Sequence, residues 1–289
     1  MWRRLILIAP AAALTRCLFP SLDGLSSGDA STIESGADVS ADVVTDTSPP
    51  ADVEAGVGTY IDEVTADSPA SWWRLGESST SQPAADEMKV QAGAYQTPGV
   101  TLGAAGAIGK DTNTAASFAG TNGGVVLPGT LYDLGGAVPF AIEVWLAPGP
   151  PPPVDAGDRM RRVVSHRTNS PYFGWYMTLD TAQRVIFTRW DQNVNVDTLT
   201  STPLVQDKYA HVVVSADGTT LSLYVNGALI AAAPESNITP DVAANALAWA
   251  TQSDLGAEFF NGSMDEAAIY THALAPARVL AHYQAGIAK

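Results

Sequence analysis

Short apolar or alternating runs, separated by turn residues, follow one another along the chain from Tyr60 onward. The clearest example begins with a strand at 211–214, His-Val-Val-Val, after which residues 221–225 alternate between the two sides of a strand. Asn226-Gly227 joins this run to residues 228–230, and both residues tolerate the positive φ angles of a two-residue hairpin. The pattern predicts a three-stranded antiparallel meander.

Similar runs elsewhere predict that most of the chain after Tyr60 is β-structure. Residues 276–286 differ, because proline in a first turn and glycine at the end are typical of a short helix. The proline-rich residues 148–153 must leave the sheet, since proline cannot donate to a β-ladder. The further strands are predicted at residues 71–75, 115–118, 140–146, 162–166, 174–179, 185–190 and 264–270.

The N-terminus has the organisation of an export signal. Arg3 and Arg4 precede the apolar run 5–9, which is too short to cross a bilayer because a spanning helix needs about 20 residues. A charged region followed by a short apolar run is typical of a secretory signal peptide. The alternative is a buried strand at the start of the chain.

Residues 14–17, Leu-Thr-Arg-Cys, resemble a bacterial lipobox, in which the cysteine becomes the diacylated first residue of the mature protein. Arg16 departs from that pattern, and ordinary signal cleavage with a free thiol is the alternative. Two acyl chains on Cys17 would anchor the protein where one chain is marginal. We therefore expect an outer-membrane or cell-surface lipoprotein, otherwise a secreted protein, whose contact with the membrane is only through this lipid anchor.

Composition divides the remaining chain into two parts. Residues 18–57 are rich in Ser, Asp, Ala, Thr, Pro and Gly, and no Lys or Arg occurs between Arg16 and Arg74. Such a segment cannot bury enough apolar surface to fold, so we expect a disordered acidic tether after a signal peptide at 1–17. Residues 58–289 form the predicted folded domain, and a chain with 46% hydrophobic residues can bury a sizeable core.

The charge of the chain limits its partners. A formal net charge of −15 disfavours nucleic acid, because binding to phosphates needs a cationic surface. The same charge disfavours adsorption to anionic lipid. A cationic partner or calcium remains compatible with it.

Five segments carry a family resemblance when they are taken in order: 67–77, 115–120 with 124–128, 140–145, 209–214 with 221–227, and 260–270 with 273–274. Together they resemble the laminin G-like (concanavalin A-like) jelly-roll domains of bacteria, over about residues 60–286. The resemblance implies an all-β, two-sheet antiparallel jelly-roll sandwich with a short C-terminal helix. The large rings of Trp73, Phe118, Trp145 and Tyr270 are then expected to face the interior.

The same architecture includes glycosidases, but no catalytic pair is visible in the sequence. Retaining hydrolysis needs two carboxylates about 5–5.5 Å apart, which on one strand means positions i and i+2. Glu143 has no such neighbour, and Asp265 and Glu266 are adjacent and should point to opposite faces. Nor do the four histidines show metal-ligand spacing. We therefore expect that the chain is not an enzyme, and glycoside hydrolysis is only the third alternative.

Aromatic residues in loop-rich stretches are the candidates for ligand binding. Trp rings beside Asp, Asn and Gln offer a surface for a sugar ring and polar groups for its hydroxyls. The alternative for Trp175 and Trp190 is burial in the core, since both lie at strand ends. The candidates are Tyr172, Phe173, Trp175, Trp190 and, more weakly, Trp249.

The resemblance also implies calcium, which this superfamily often holds with loop carboxylates and carbonyls. Asp191 and Asp265 are the candidate ligands, because hard cations take carboxylate oxygens. For Asp265-Glu266, the alternative is to accept hydrogen bonds from the backbone of a loop, and we favour that alternative. No other cofactor is expected.

Two classes of function are therefore left ahead of the enzyme. The first is a surface recognition or adhesion module that binds a glycan or a surface protein. The second is a structural component of the cell envelope without a specific ligand. An exposed aromatic patch beside a concave face would favour the first class, and a convex, evenly polar surface would favour the second. Paired carboxylates in a deep cleft would favour the enzyme.

Overall fold

The computed structural model describes residues 58–127, 131–151, 160–168, 171–240, 246–253 and 257–289. The predicted signal peptide, the lipidation of Cys17 and the acidic tether at 18–57 lie outside the described residues and stay predictions. Neither helix in the described ranges is long and apolar enough to cross a membrane.

Strands dominate the described residues, with one helix at each end. Helix α1 spans Tyr60–Ala66, and helix α2 spans Pro276–Ile287. The strands are β1 Ser71–Trp73, β2 Ala94–Gln96, β3 Val100–Ala105, β4 Thr114–Ala119, β5 Gly124–Leu127, β6 Phe140–Pro148, β7 Arg161–Arg167, β8 Gly174–Leu179, β9 Arg184–Asp191, β10 Val194–Pro203, β11 Ala210–Ala216, β12 Thr220–Val225, β13 Ala228–Pro234, β14 Leu247–Trp249 and β15 Asn261–Tyr270.

The strands form two antiparallel sheets. The eight-stranded sheet has the order β13-β12-β11-β6-β15-β4-β3, with β1 paired to β15, and the seven-stranded sheet has the order β10-β9-β8-β7-β14-β5-β2. The predicted meander is β11-β12-β13, in which Val213 lies opposite Tyr224 and Val225 opposite Ala228. The predicted sandwich and C-terminal helix are thus confirmed.

Alternate residues of the central strands fill the space between the sheets. Strand β6 contributes Phe140, Ile142, Val144 and Leu146, and the facing strands contribute rings such as Phe187, whose centroid lies 6.2 Å from that of Phe140. Burial of each such side chain contributes about 1.5–3 kcal/mol to folding. Trp73 and Phe118 belong to this core, as predicted.

A second apolar cluster lies on the outer face of the eight-stranded sheet, beneath the two helices. Trp145 and Tyr270 belong to it, so both are buried, as predicted, but under the helices and not between the sheets. The reason is the two-residue period of a strand, because Trp145 has the opposite parity to Val144 and Leu146. Tyr60 of α1 packs edge-on against Trp145, with ring centroids 6.0 Å apart.

Strand β15 contains an irregularity that changes its side-chain pattern. Its register against β6 shifts between Asp265 and Ala268, and Glu266 has a φ of +52°. A bulge of this kind places an extra residue in one strand and redirects its side chains. Gly262 lies inside this strand with a φ of +137°.

Candidate ligand-binding surface

The outer face of the seven-stranded sheet carries aromatic and charged side chains at the ends of β7, β8 and β9. Trp175 and Phe187 point into the core, so Tyr176 and Trp190, of opposite parity, point outward. Gly174 pairs with Arg167 on one side and with Trp190 on the other. Because Gly174 has no side chain, Arg167 and Trp190 can approach each other across it.

Three residues of this face and one residue of the loop before β8 form what we call the aromatic–arginine patch. They are Arg167, Tyr176 and Trp190 of the strands, and Tyr172 of the loop. The guanidinium carbon of Arg167 lies 4.4 Å from the ring centroid of Tyr172, 5.1 Å from that of Tyr176 and 6.0 Å from that of Trp190. Tyr172 packs edge-on against Trp190, with centroids 5.5 Å apart. Arg167, Tyr172 and Trp190 are all partly exposed. These contacts hold three rings and one cation at a single accessible place.

The turn between β9 and β10 positions the Tyr172 loop. Gln192 and Asn193 both have positive φ, 47° and 69°, as a two-residue hairpin of type I′ requires. The backbone N–H of Tyr172 donates to Asn193 Oδ1 at 2.8 Å, and that of Asn193 donates to the carbonyl of Tyr172 at 3.1 Å. Gln192, Asn193 and Asn195 are exposed, and Asn195 lies opposite Trp190 in the β9–β10 ladder.

Arg162 supports the patch from its buried side. Its guanidinium carbon lies 3.7 Å from the ring centroid of Tyr176, and it forms an ion pair with Glu258. The residue is only 1% exposed, and burial lowers the pKa of its guanidinium. Its Nε and Nη1 have no hydrogen-bond partner among the residues that the structure describes.

The structure divides the predicted aromatic ligand contacts into two groups. Tyr172 and Trp190 meet in the patch, and Phe173 lies beside them in the same loop, partly exposed. Trp175 and Trp249 are wholly buried between the sheets, so neither ring is accessible to a ligand. Their prediction as ligand contacts is therefore corrected to a role in the core. Arg167 was not predicted, because nothing in the local sequence distinguishes it from other strand residues.

The two candidate calcium ligands are in different surroundings. Asp191 ends β9 next to the patch and is partly exposed. Asp265 is wholly buried, and its Oδ2 accepts a hydrogen bond from the backbone N–H of Ala107 at 2.8 Å. This is the loop-acceptor alternative. No group of three or more His, Cys, Asp or Glu suited to a metal ion occurs within the described residues. Calcium binding stays a prediction.

Asp265 and Glu266 do lie on one side of their strand, because of the bulge. Asn113 Nδ2 is 3.3 Å from Asp265 Oδ1, and Glu266 forms an ion pair with Arg74 at 2.8 Å. Burial and the charge of Glu266 raise the pKa of Asp265 to about 8. Burial likewise raises the pKa of Glu266, to about 7, although Arg74 opposes this effect. Neither side chain is exposed, so the pair is not open to a substrate.

Comparison with known proteins agrees with this architecture. A family model described as the concanavalin A-like lectin/glucanases superfamily, of the laminin G type, matches residues 118–280, more than half of the chain. The chain therefore belongs to this family. No curated protein matches it.

Several solved structures share the fold. The binding domain of botulinum neurotoxin serotype G is 13% identical, with a TM-score of 0.52 over 68% of this chain and 47% of that chain. The Trypanosoma rangeli sialidase is 10% identical, with a TM-score of 0.54 over 74% of this chain and 32% of that chain. The present chain thus spans about half the length of the toxin binding domain and a third of the sialidase.

Domain 4 of AbnA, a GH43 extracellular arabinanase from Geobacillus stearothermophilus, was solved in complex with arabinotriose. It is 17% identical, with a TM-score of 0.50 over 75% of this chain and 98% of that domain. At these identities the likenesses show the fold alone. Binding domains of botulinum neurotoxins and a sialidase both occur among the similar structures.

Proposed function

We propose that the chain is a non-catalytic, extracytoplasmic recognition module that binds carbohydrate at the aromatic–arginine patch. The observation that carries the proposal is the partly exposed pair Tyr172 and Trp190, held together beneath Arg167. Ring faces can pack against the apolar face of a sugar. The guanidinium and the amides of Gln192 and Asn195 can bind its hydroxyls. Apolar rings with a few convergent polar groups are typical of small-ligand sites.

Two further observations support a binding module over an enzyme. The acidic pair Asp265-Glu266 is wholly buried, and Glu143 is wholly buried elsewhere in the eight-stranded sheet, so none of these carboxylates is exposed to a substrate. A domain of the same fold whose structure contains arabinotriose supports a saccharide as the ligand. A surface protein is the alternative partner.

A glycan array with the full chain tests the proposal. We expect binding to at least one class of saccharide, and Trp190→Ala and Tyr172→Ala should each weaken it about tenfold or more, since tenfold corresponds to about 1.4 kcal/mol. Leu229→Ala is the control, because Leu229 is 56% exposed on β13 of the other sheet. Running the array with calcium and with a chelator tests Asp191 at the same time.

Two results would count against the patch. One is saccharide binding that survives both aromatic substitutions, which would place the ligand elsewhere on the domain. The other is an array without any bound saccharide, which would favour the structural component of the envelope.

We also propose that the module is held at the cell surface or outer membrane through Cys17, and is secreted if Cys17 is not lipidated. The support is the sequence of residues 1–17 alone. Replacing Cys17 by Ala and fractionating cells tests this proposal. Membrane association should be lost in the variant, and association that is unchanged would exclude a lipid anchor at this residue.

A further inference from the structure

A buried polar cluster lies between the eight-stranded sheet and the two helices, away from the aromatic–arginine patch. Its centre is Glu143 of β6, which is fully buried, as are His211 of β11 and His282 of α2. Tyr60 of α1 and Tyr270 of β15 complete the inner part of the cluster. Four other elements, α1, β11, β15 and α2, thus converge on one carboxylate of β6.

Glu143 receives hydrogen bonds from four side chains. Tyr60 donates to Oε1 at 3.0 Å and His211 Nε2 to Oε1 at 2.7 Å. Tyr270 donates to Oε2 at 2.7 Å, and His282 Nδ1 lies 3.0–3.1 Å from both oxygens. A carboxylate has only acceptors, so all four partners must be donors when Glu143 is ionised.

The two ring nitrogens of His282 face carboxylates in opposite directions. Nδ1 contacts Glu143, and Nε2 lies 2.8 Å from Asp67 Oδ2. A neutral imidazole has one N–H, and its other nitrogen is an acceptor. With two carboxylates as partners, only the imidazolium can donate to both. The geometry therefore requires a positively charged His282.

His211 differs in this respect. Its Nε2 donates to Glu143, but its Nδ1 has no hydrogen-bond partner within the described part of the chain. One N–H is enough for this contact, so the neutral tautomer with hydrogen on Nε2 satisfies it. Of the two histidines in this cluster, His282 is the one whose contacts depend on a second proton.

These contacts join α1 to the rest of the domain. Asp67, at the end of α1, contacts His282 and also pairs with Arg278 of α2 at 2.8 Å. Arg278 pairs in addition with Glu63 of α1 at 2.6 Å. Helix α1 has seven residues, too few to be stable by itself. Its place on the sheet therefore depends on this network and on the burial of Tyr60 and Val64.

We propose that α1 is docked by the imidazolium of His282 and that loss of one proton releases it. When His282 becomes neutral, either Glu143 or Asp67 loses its donor and faces a ring lone pair. The α1 contact through Asp67 is the one nearer to solvent, so it breaks first. Without α1, strand β1 at Ser71–Trp73 would be the first element held on the sandwich.

The surrounding charges determine the direction of the pH dependence. Burial alone lowers the pKa of His282 and Arg278 acts in the same direction, but Glu143 and Asp67 outweigh them and raise it. Burial alone raises the pKa of Glu143, but His282 and His211 outweigh it, so that this pKa lies well below its usual range. Helix α1 places Tyr60 and Asp67 against His282, and α2 itself contributes Arg278. Strand β6 contributes Glu143, and β15 contributes Tyr270. Two further groups act through these residues: His211 of β11 through Glu143, and Glu63 of α1 through Arg278.

The direction in which stability changes with pH follows from these two pKa shifts. A raised histidine pKa gives stability that is complete below about 6.5 and is lost as the pH rises through the pKa in the folded protein. A lowered carboxyl pKa gives stability that is lost only as the pH falls through it. We therefore expect α1 to stay docked in mild acid and to be released as the pH rises.

Two measurements on the full chain test the proposal between pH 5 and pH 9. Two-bond ¹H–¹⁵N spectra report the protonation of each histidine ring nitrogen, and hydrogen exchange reports the protection of α1 relative to β6. At pH 6 both nitrogens of His282 should carry hydrogen. The protection factor of α1, corrected for intrinsic exchange, should fall tenfold per pH unit between about 6.5 and the pKa of His282 in the cluster.

His282→Gln should give low α1 protection that no longer varies with pH. His272→Gln is the matched control and should behave as the parent, because His272 is exposed and only touches the ring edge of Tyr270. If His282→Gln does not fold, Asp67→Asn should move the fall in protection to lower pH. A neutral His282 at pH 6, or α1 protection that does not vary with pH in the parent, would overturn the proposal.

Discussion

Gly286 of α2 lies directly against Trp145 of β6, so that a Cβ added to the glycine would be 2.3 Å from Trp145 Cζ2. This separation is far below van der Waals contact. The place of this glycine near the end of α2 suggested that it terminates the helix. Its contact shows instead that it lets the helix approach the sheet. The helix continues to Ile287.

Gly286→Ala is expected to lower the free energy of unfolding. Alanine favours a helix over glycine by about 0.5–1 kcal/mol, but forcing a methyl group against a packed ring costs about 1–3 kcal/mol. We expect a net loss of about 1 kcal/mol in urea unfolding. Gln284→Ala, at an exposed position of the same helix, should change the value by less than about 0.5 kcal/mol. A Gly286→Ala variant more stable than the parent would contradict the close contact.

Trp249 and Trp190 should differ strongly when each is replaced by Ala. Trp249 is fully buried against Trp73, with centroids 6.1 Å apart, and its loss should cost about 3–5 kcal/mol. Trp190 is partly exposed on the outer face, so its loss should cost clearly less than that of Trp249. Chemical denaturation measures both values. Similar losses at the two positions would show that Trp190 is a core residue.

Arg189 and Arg184 lie on the same strand and provide a contrast between buried and exposed ion pairs. Arg189 is fully buried and contacts Asp197 at 3.3 Å and Glu235 at 3.0 Å. Arg189→Met leaves these acids without their cation and should cost about 3–5 kcal/mol. Arg184 pairs with Asp180 but its side chain is 47% exposed, so Arg184→Met should cost less than about 1 kcal/mol. Equal losses in urea unfolding would exclude this difference.

Asp265 should make the stability of the domain depend on pH. Its pKa is raised to about 8 when folded, so the folded protein binds more protons than the unfolded chain between about pH 4 and pH 8. The contribution of Asp265 to stability is therefore complete below about pH 4 and falls as the pH rises through this range. Calorimetry at pH 5, 7 and 9 should show this fall.

Asp265→Asn should lessen the decline, because an amide does not ionise. Asp207→Asn, at an exposed position, is the control and should leave the decline as it is in the parent. If the two variants lose stability with pH equally, the buried pair is not the source of the decline. Any remaining slope in Asp265→Asn can then be compared with that in His282→Gln.

The local pattern of apolar, polar and turn residues predicted much of the sandwich, because turn residues mark both ends of many strands. The meander of β11, β12 and β13 depends on the turn at Asn226 and Gly227. Both residues have the positive φ that such a turn needs, 53° and 76°. Helix α1 was missed, since seven residues show hardly two turns of periodicity. Only its capping box could have indicated it: the Thr59 side chain accepts from the N–H of Asp62, and the Asp62 side chain accepts from that of Thr59.

The sites depended on tertiary structure to a greater extent. Tyr172 and Trp190 could be identified as candidates from their loops, but Arg167 joins them only because Gly174 lies between it and Trp190 in the sheet. Asp265 and Glu266 were expected on opposite faces, and the bulge overturned that rule. Glu143 looked isolated, since its four donors come from elements scattered between Tyr60 and His282.

Helix α1 packs on the outside of one sheet, and the aromatic–arginine patch lies on the outside of the other. Both sheets therefore separate this helix from the candidate sugar site. A saccharide held at the patch would not touch α1, so occupancy of the patch and the docking of the helix can be measured independently of each other.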